Sequence, residues 1–428
     1  MASKGERVLN MGLRGMTLCT RFLFIFFLAR YVTPASVGYY GLFTATVGYA
    51  LYFVGLDFYT YNTRELLRAP QEQRGRLIRD QAVLTVGLYA LLLPAAFVIP
   101  SVAGWPSGLA WWFLPILVLE HVNQEVSRIL VALSDQVGAS VLLFIRQGSW
   151  ALFIVGVMAW DTSSRQLQAV MACWAGAGAV AAALGLHKLA RLGMGGWRSA
   201  VDWDWIRRGV KVSVAFLSAT LALRALQIVD RYWLKSLVDI DAVGAYVLFT
   251  GIASTLMVFL DAGVFTFSYP ELIRLHQQGE HAALRQRLRA MLVHTLGLSA
   301  AFAFVSWLIL PELLGWIRNP VYVQYLWLYP WVLSALVINA IGMVPHYALY
   351  AYGVDRPIIR SQFAALLVFP LAVWGLSRFQ PVLAVPLGLN VAFATILVWK
   401  ATACFQVSRS RGAPATLPQA TKILKSTP

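Results

Sequence analysis

Val37-Gly38-Tyr39-Tyr40-Gly41-Leu42-Phe43-Thr44 returns 206 residues later as Val243-Gly244-Ala245-Tyr246-Val247-Leu248-Phe249-Thr250. The register continues without a gap through Phe53/Phe259, Thr60/Thr266, Glu65/Glu271, Leu66/Leu272 and Arg68/Arg274, so that 11 of the 32 positions from 37 to 68 are identical. A repeat of this period in a 428-residue chain means two copies of one unit, each about half of the protein.

Around the repeat the chain is 59% hydrophobic and only 13% charged, with a mean hydropathy of +0.65 and 16 Trp. So much apolar surface cannot be hidden from water in a chain of this length, and the bilayer must be its solvent. Crossing the hydrocarbon takes about 20 apolar residues. The sequence supplies about a dozen such runs, near 8–31, 37–61, 81–104, 109–132, 139–160, 166–188, 209–234, 242–269, 290–310, 325–351, 361–377 and 383–404. The first is too long for a signal-peptide core and reads as span one.

The expected fold class is an all-α integral membrane protein, with about 12 transmembrane helices in two six-helix halves around a central cavity. An even number of spans separates the copies, so they run parallel and are related by an axis along the membrane normal. The expected division is an N-terminal half, 1–188, a basic cytoplasmic connector, 189–208, a C-terminal half, 209–404, and a cytoplasmic tail, 405–428. The tail is rich in Ser, Pro, Thr and Lys and is expected to be disordered.

Lys and Arg fix an orientation. With the N-terminus in the cytoplasm, inner loops and tails hold 23 of them and outer loops only Arg165, Lys235, Arg318 and Arg378. This asymmetry accounts for most of the net charge of +16 through contact with anionic lipid, without a nucleic-acid partner. Both termini are therefore expected to be cytoplasmic. The longest outer loop is expected near Pro311–Gln324, and the inner connections near 189–208 and 271–289 are amphipathic rather than domain-sized.

Cys19, Cys173 and Cys404 lie in apolar runs without metal-ligand spacing, so neither a disulfide nor a metal site is expected. The sequence has no Gly-rich phosphate loop, Ser-His-Asp arrangement or paired-Cys motif. No catalytic residue, no cofactor and no enzymatic activity are expected, and two homologous halves suggest a transporter.

Leu28-Ala29-Arg30-Tyr31-Val32 ahead of Val37-Gly38-Tyr39-Tyr40, and Val229-Asp230-Arg231-Tyr232-Trp233-Leu234 ahead of Ala242-Val243-Gly244-Ala245-Tyr246, resemble the Wzx-type polysaccharide flippases. These belong to the multidrug/oligosaccharidyl-lipid/polysaccharide exporter superfamily. The resemblance covers the chain by length, span count and duplication. It implies export of an undecaprenyl-pyrophosphate-linked oligosaccharide repeat unit, of O-antigen or exopolysaccharide, across a bacterial inner membrane by alternating access. Coupling H⁺ or Na⁺, and the polymerase and chain-length proteins of the same pathway, are further partners on this reading. Within the Val-Gly-x-Tyr segments, Gly is expected to let the chain turn into the helix and Tyr to sit at the membrane interface.

Ionisable residues inside spans cost about 2.5–3.5 kcal/mol each at the helix centre, which turns them toward a wet cavity. Arg14 and Arg21 are seven residues apart on one face of span one, and Arg224 and Arg231 repeat the spacing in span seven. Span five adds Arg146 beside Gln147. Guanidinium groups suit a pyrophosphate because they donate paired, charge-assisted hydrogen bonds. Arg14, Arg21, Arg146 and Arg224 are the expected anionic-headgroup ligands. Span four carries Glu120, His121, Asn123, Gln124, Glu125 and Arg128, against only Asn339 and His346 near span ten. Glu120, Glu125 and His121 are expected either to counterbalance the arginines or to take a coupling proton. Asp57 and Asp261 read as helix-end caps or salt-bridge partners. The alternative function is a cation-coupled, multidrug-type antiporter of small organic cations, and repeated intramembrane arginines speak against that cargo. A membrane enzyme of glycan assembly would need a large outer loop or a His/Asp site.

Overall fold

Apolar runs in a bilayer must satisfy every backbone amide within their own segment, which makes the helix the element of each expected span. In the computed structural model, which describes residues 4–412, all twelve fall on helices. Spans one to six are α1 (Lys4–Tyr31), α2 (Pro34–Gly55) with the short α3 (Tyr59–Arg68) after it, α4 (Gln71–Val102), α5 (Ser107–Ala132), the pair α6 (Gln136–Phe144) and α7 (Trp150–Trp160), and α8 (Leu167–Ala190). Spans seven to twelve are α9 (Trp203–Leu237), the pair α10 (Ile240–Leu260) and α11 (Thr266–Gln277), α12 (His281–Ile317), α14 (Tyr329–Ala351), α15 (Arg356–Ser377) and α16 (Pro381–Gly412), with α13 (Pro320–Gln324) in the loop after α12. The tail expected from 405 is helical as far as Gly412, and its residues 413–428 lie outside the described residues.

Among the described residues ten helical segments are long and apolar enough to cross a membrane by themselves, and α5 and α9 are not among the ten. Their polar residues dilute the apolar run, and these two helices bring most of the charge to the molecule's interior.

Three of the shifted boundaries bear on how the halves meet. α4 begins ten residues early, because the polar turns Gln71–Asp80 are held helical by the connector packed on them. Arg79 donates to the carbonyls of Trp197 (3.2 Å), Ser199 and Ala200 (2.9 Å), and Gly195 N–H donates to Gln71 O. α12 runs through Pro311 to Ile317, so the loop expected from Pro311 begins only at Arg318. Span two stops at Gly55, where Leu56 and Asp57 adopt positive φ (48° and 53°). At the equivalent place 206 residues on, span eight carries a π-helical turn, Asp261–Phe265, so both copies are irregular at one point.

The two copies of the octapeptide pack against each other across the halves. Thr33 caps α2 by accepting from Ser36 N–H, and its equivalent Asp239 caps α10 by accepting from Ala242 N–H. One turn later the two helices touch through backbone. A Cβ on Gly38 would stand 2.5 Å from Ile240 O and 3.1 Å from Gly244 N, and a Cβ on Gly244 would run into Pro34 O. Ile240 is itself the equivalent of Pro34, so the approach is symmetric. The glycines therefore do not serve a turn into the helix, as expected from sequence, but a helix–helix contact that any side chain would block. The tyrosines are not interfacial either: Tyr246 is 1% exposed, and Tyr40 is half-buried inside. α2 and α10 both start at the end opposite the termini, and this contact closes the molecule there. That closed face is the far end, and the opposite face the terminus end.

Candidate functional site

Between the halves lies a cavity of about 920 Å³, lined along α2 and α10 from Tyr40 and Tyr246 to Asp57 and Val258. Arg21, Arg128, Arg146, Arg224 and Arg231 reach its wall, with Asp57, Glu120 and Asp230 as the acids: five guanidinium groups against three carboxylates. Every charge comes from the first half or from α9. The surface contributed by α10, α14 and α16 is apolar or uncharged, with Tyr246, Thr250, Ser254, Thr255 and Asn339 among its polar groups and Leu336 and Phe393 among its apolar ones.

A constant register positions the span-one arginines. Arg14 Nε donates to Ser140 Oγ (3.1 Å), Arg21 Nη1 to Gln147 Oε1 (3.0 Å), and Phe24 packs edge-on to Trp150 at 5.0 Å. All three pairs are 126 residues apart, so α1 and the α6–α7 span run side by side without slippage. Arg21 faces the cavity. Arg14, two turns nearer the terminus end, is outside the wall.

Arg146 sits in a π-helical turn, Ile145–Ser149, that joins α6 to α7. The turn loosens the backbone ladder, and Trp150 Nε1 donates to the Arg146 carbonyl (2.9 Å). Arg146 is 7% exposed, and its Nη1 lies 3.4 Å from Glu120 Oε2 and 3.3 Å from Glu120 O. Its buried Nε has no hydrogen-bond partner among the described residues. The other Glu120 oxygen accepts from Trp174 Nε1 (2.8 Å), and Trp174 stacks on Trp150 at 5.9 Å. Glu120 is thus a counter-charge already in place.

Glu125 and His121 stand behind the wall rather than in it. Glu125 Oε2 accepts from Gln81 Nε2 (2.6 Å) and Oε1 from Arg128 Nη1 (2.5 Å), while Arg128 stacks over Tyr59 at 3.5 Å. Gln81 in turn accepts from Asn62. His121 is 1% exposed, neither ring nitrogen has a hydrogen-bond partner among the described residues, and Nε2 lies 3.9 Å from Glu125 Oε1. The His121 ring presses against Gly55, where a Cβ would be 3.3 Å from Nε2. Arg224 reaches the cavity from α9, 5.8 Å from the Tyr52 ring centroid. The structure therefore gathers Arg21, Arg146, Arg224 and Glu120 into one cavity and leaves Arg14, Glu125 and His121 out of its lining.

Asp230 was passed over in the sequence. It is 4% exposed, its Oδ2 accepts from Tyr246 OH (2.7 Å) and its Oδ1 from Arg231 N–H (2.8 Å). The next residue, Arg231, donates to Gly41 O across the halves (2.9 Å), and Tyr232 OH bonds Thr46 Oγ1 (2.5 Å). An acid inside an apolar span was the available signal, masked by its position within the Val-Asp-Arg-Tyr stretch. Asp57, read as a cap, also faces the cavity, whereas His346, read as the span-ten counterpart, does not line it. The three cysteines are free thiols, and among the described residues no three His, Cys, Asp or Glu side chains are placed to hold a metal ion.

No protein-family model and no curated protein matches the sequence. Solved structures do. The inward-facing conformation of a multidrug resistance MATE family transporter of the MOP superfamily aligns with a TM-score of 0.76 at 10% identity, covering 95% of this chain and 99% of that one. A MATE in complex with MaD3S gives 0.59 at 12% identity over 96% and 99% of the two chains. The Vibrio cholerae MATE transporter VcmN in the bent form gives 0.54 at 16% over 96% and 99%. The chain thus has the fold of MATE family transporters of the MOP superfamily, as an all-helical membrane protein of two six-helix halves.

Proposed function

We propose that this protein is a membrane transporter that exposes its central cavity alternately to the two faces of the membrane, and that its cargo is an amphiphile with an anionic head. The fold supports transport by alternating access. The observation that carries the anionic head is the wall charge, five guanidinium groups against three carboxylates, contributed by the first half and by α9. The halves 1–188 and 209–404 would rock as units about the α2–α10 contact, with 189–208 as their link.

Charge-assisted hydrogen bonds from Arg21 and Arg224 would receive a phosphate, and Arg146 has an unused Nε–H to add. With no cargo, Glu120 neutralises Arg146, so an arriving anion competes with that carboxylate rather than with water. Glu125, already held by Gln81 and Arg128, and His121 beside it are the candidates for a coupling proton.

Two finer readings remain. The undecaprenyl-pyrophosphate-linked glycan is supported by the arginines and by a volume within the range of small-molecule pockets, with the lipid tail left in the bilayer. The cation-coupled multidrug-type antiporter is the reading better supported by the comparisons, since a similar structure is that of a multidrug resistance transporter; Asp57 and Asp230 would be its cationic-cargo contacts. Complementation of a flippase-deficient bacterium, paired with a drug-efflux assay, separates them. Restored surface glycan lost in well-expressed Arg21→Ala, Arg146→Ala and Arg224→Ala supports the glycan. Efflux of an organic cation that survives these changes and is lost in Asp230→Asn supports the antiporter. A bacterial inner membrane with cytoplasmic termini is the location this proposal assumes.

A further inference from the structure

α1 and α9 occupy the same place in the two copies, and each reaches the far end in a basic residue, Arg30 and Lys235. Arg30 Nη1 donates to the carbonyl of Trp316 in the last turn of α12, and its guanidinium lies 4.4 Å from the Trp316 ring centroid. Lys235 Nζ donates to the carbonyls of Ala103 (2.7 Å) and Gly104 (2.9 Å), just past the end of α4. α4 and α12 are again equivalents, as spans three and nine. Each bond crosses from one half to the other, and the two run in opposite senses.

The acceptors suit a cation. Carbonyls at a helix C-terminus lack intrahelical donors and carry the negative end of the helix dipole. The residue four places after Trp316 is Pro320, which has no N–H to give. Gly104 has positive φ (60°), and a Cβ there would stand 3.2 Å from Lys235 Nζ, so glycine leaves the space the ammonium uses. Lys235 also lies 5.2 Å from the Tyr39 ring centroid, one residue from the Gly38 contact. The glycine contact is backbone packing without a directional bond, whereas these two flanking contacts are few and directional and can be released and remade.

We propose that Arg30 and Lys235 are a pair of pseudo-symmetric latches that hold the cavity shut at the far end, both of which must let go before it opens there. The inference rests on the alternating-access reading, but its test needs no cargo. With the three native cysteines replaced by Ser, Thr44→Cys in the cavity wall is reacted with a membrane-impermeant thiol reagent from each face, in intact cells and in inverted vesicles. With latches intact, labelling from the far side is slow. Arg30→Gln and Lys235→Gln, which keep much of each side chain's stem, each raise it about tenfold, the ratio that about 1.4 kcal/mol produces. Arg30→Lys and Lys235→Arg keep it slow. A double Gln variant that labels at the unaltered rate overturns the latch. So does one that labels fast from both faces after losing its thermal transition in detergent, since the contacts then hold the fold together. Faster far-side labelling with no fall on the terminus side sustains the latch and sinks the exclusive-access premise instead.

Discussion

Arg146 and Glu120 show what one buried pair can require. Removing one partner of a buried ion pair costs about 3–5 kcal/mol, because the other is left as an uncompensated charge, while replacing both can be nearly neutral. Arg146→Met should therefore lower the thermal midpoint in detergent, and Arg146→Met combined with Glu120→Gln should recover most of the loss; a double variant no better than the single one would show that the two side chains are not coupled. Tyr246 and Asp230 give a milder case. Tyr246→Phe strips the hydrogen bond from a carboxylate oxygen buried at 4% exposure and should cost about 1–3 kcal/mol in the same assay. That Arg21, Arg146 and Arg224 would turn away from lipid was an expectation from residue type alone, because a guanidinium inside an apolar span has few places to go. Which of the arginines reach the cavity was not legible: Arg14 and Arg21 share a helical face and one register on the neighbouring span, and only their depth along α1 puts Arg21 at the cavity wall and leaves Arg14 outside it.

At the scale of the element, helices were readable wherever the chain is uniformly apolar, and their interruptions were not. Leu56 and Asp57 carry no glycine to announce a left-handed turn. Leu56→Gly should relieve about 1 kcal/mol of backbone strain, less the added freedom of the unfolded chain, and so raise the melting temperature slightly. A fall of several degrees would mean that the Leu56 side chain matters more than its dihedral. Gly244→Ala should act in the opposite sense. Its Cβ meets the Pro34 backbone, which cannot step aside, so a destabilisation of about 1–3 kcal/mol is expected. Gly297→Ala, in α12 with nothing within 4 Å, should instead stabilise by about 0.5–1 kcal/mol, and the contrast between the two controls for the substitution itself. Gly244 and Gly297 are both glycines inside spans, and what each Cβ would meet is set by the facing helix.

For the whole molecule the expectation concerns selectivity. Purified protein in liposomes should bind a short-chain polyprenyl pyrophosphate at least tenfold more tightly than its uncharged alcohol, and the triple variant Arg21→Ala/Arg146→Ala/Arg224→Ala should remove that preference, about 1.4 kcal/mol or more. Equal binding of both lipids by the unaltered protein would remove the anionic-head reading. Composition, span-length apolar runs and the 206-residue repeat determined by themselves that this is a duplicated helical membrane protein, because hydrocarbon leaves the backbone no alternative to the helix and a repeated unit folds twice. The symmetric closure at Gly38 and Gly244, the separation of Glu120 from Glu125, and the burial of Asp230 were decided by tertiary structure alone. Each depends on which helix lies opposite, and a polar or small residue inside a span carries no record of its neighbour across the interface.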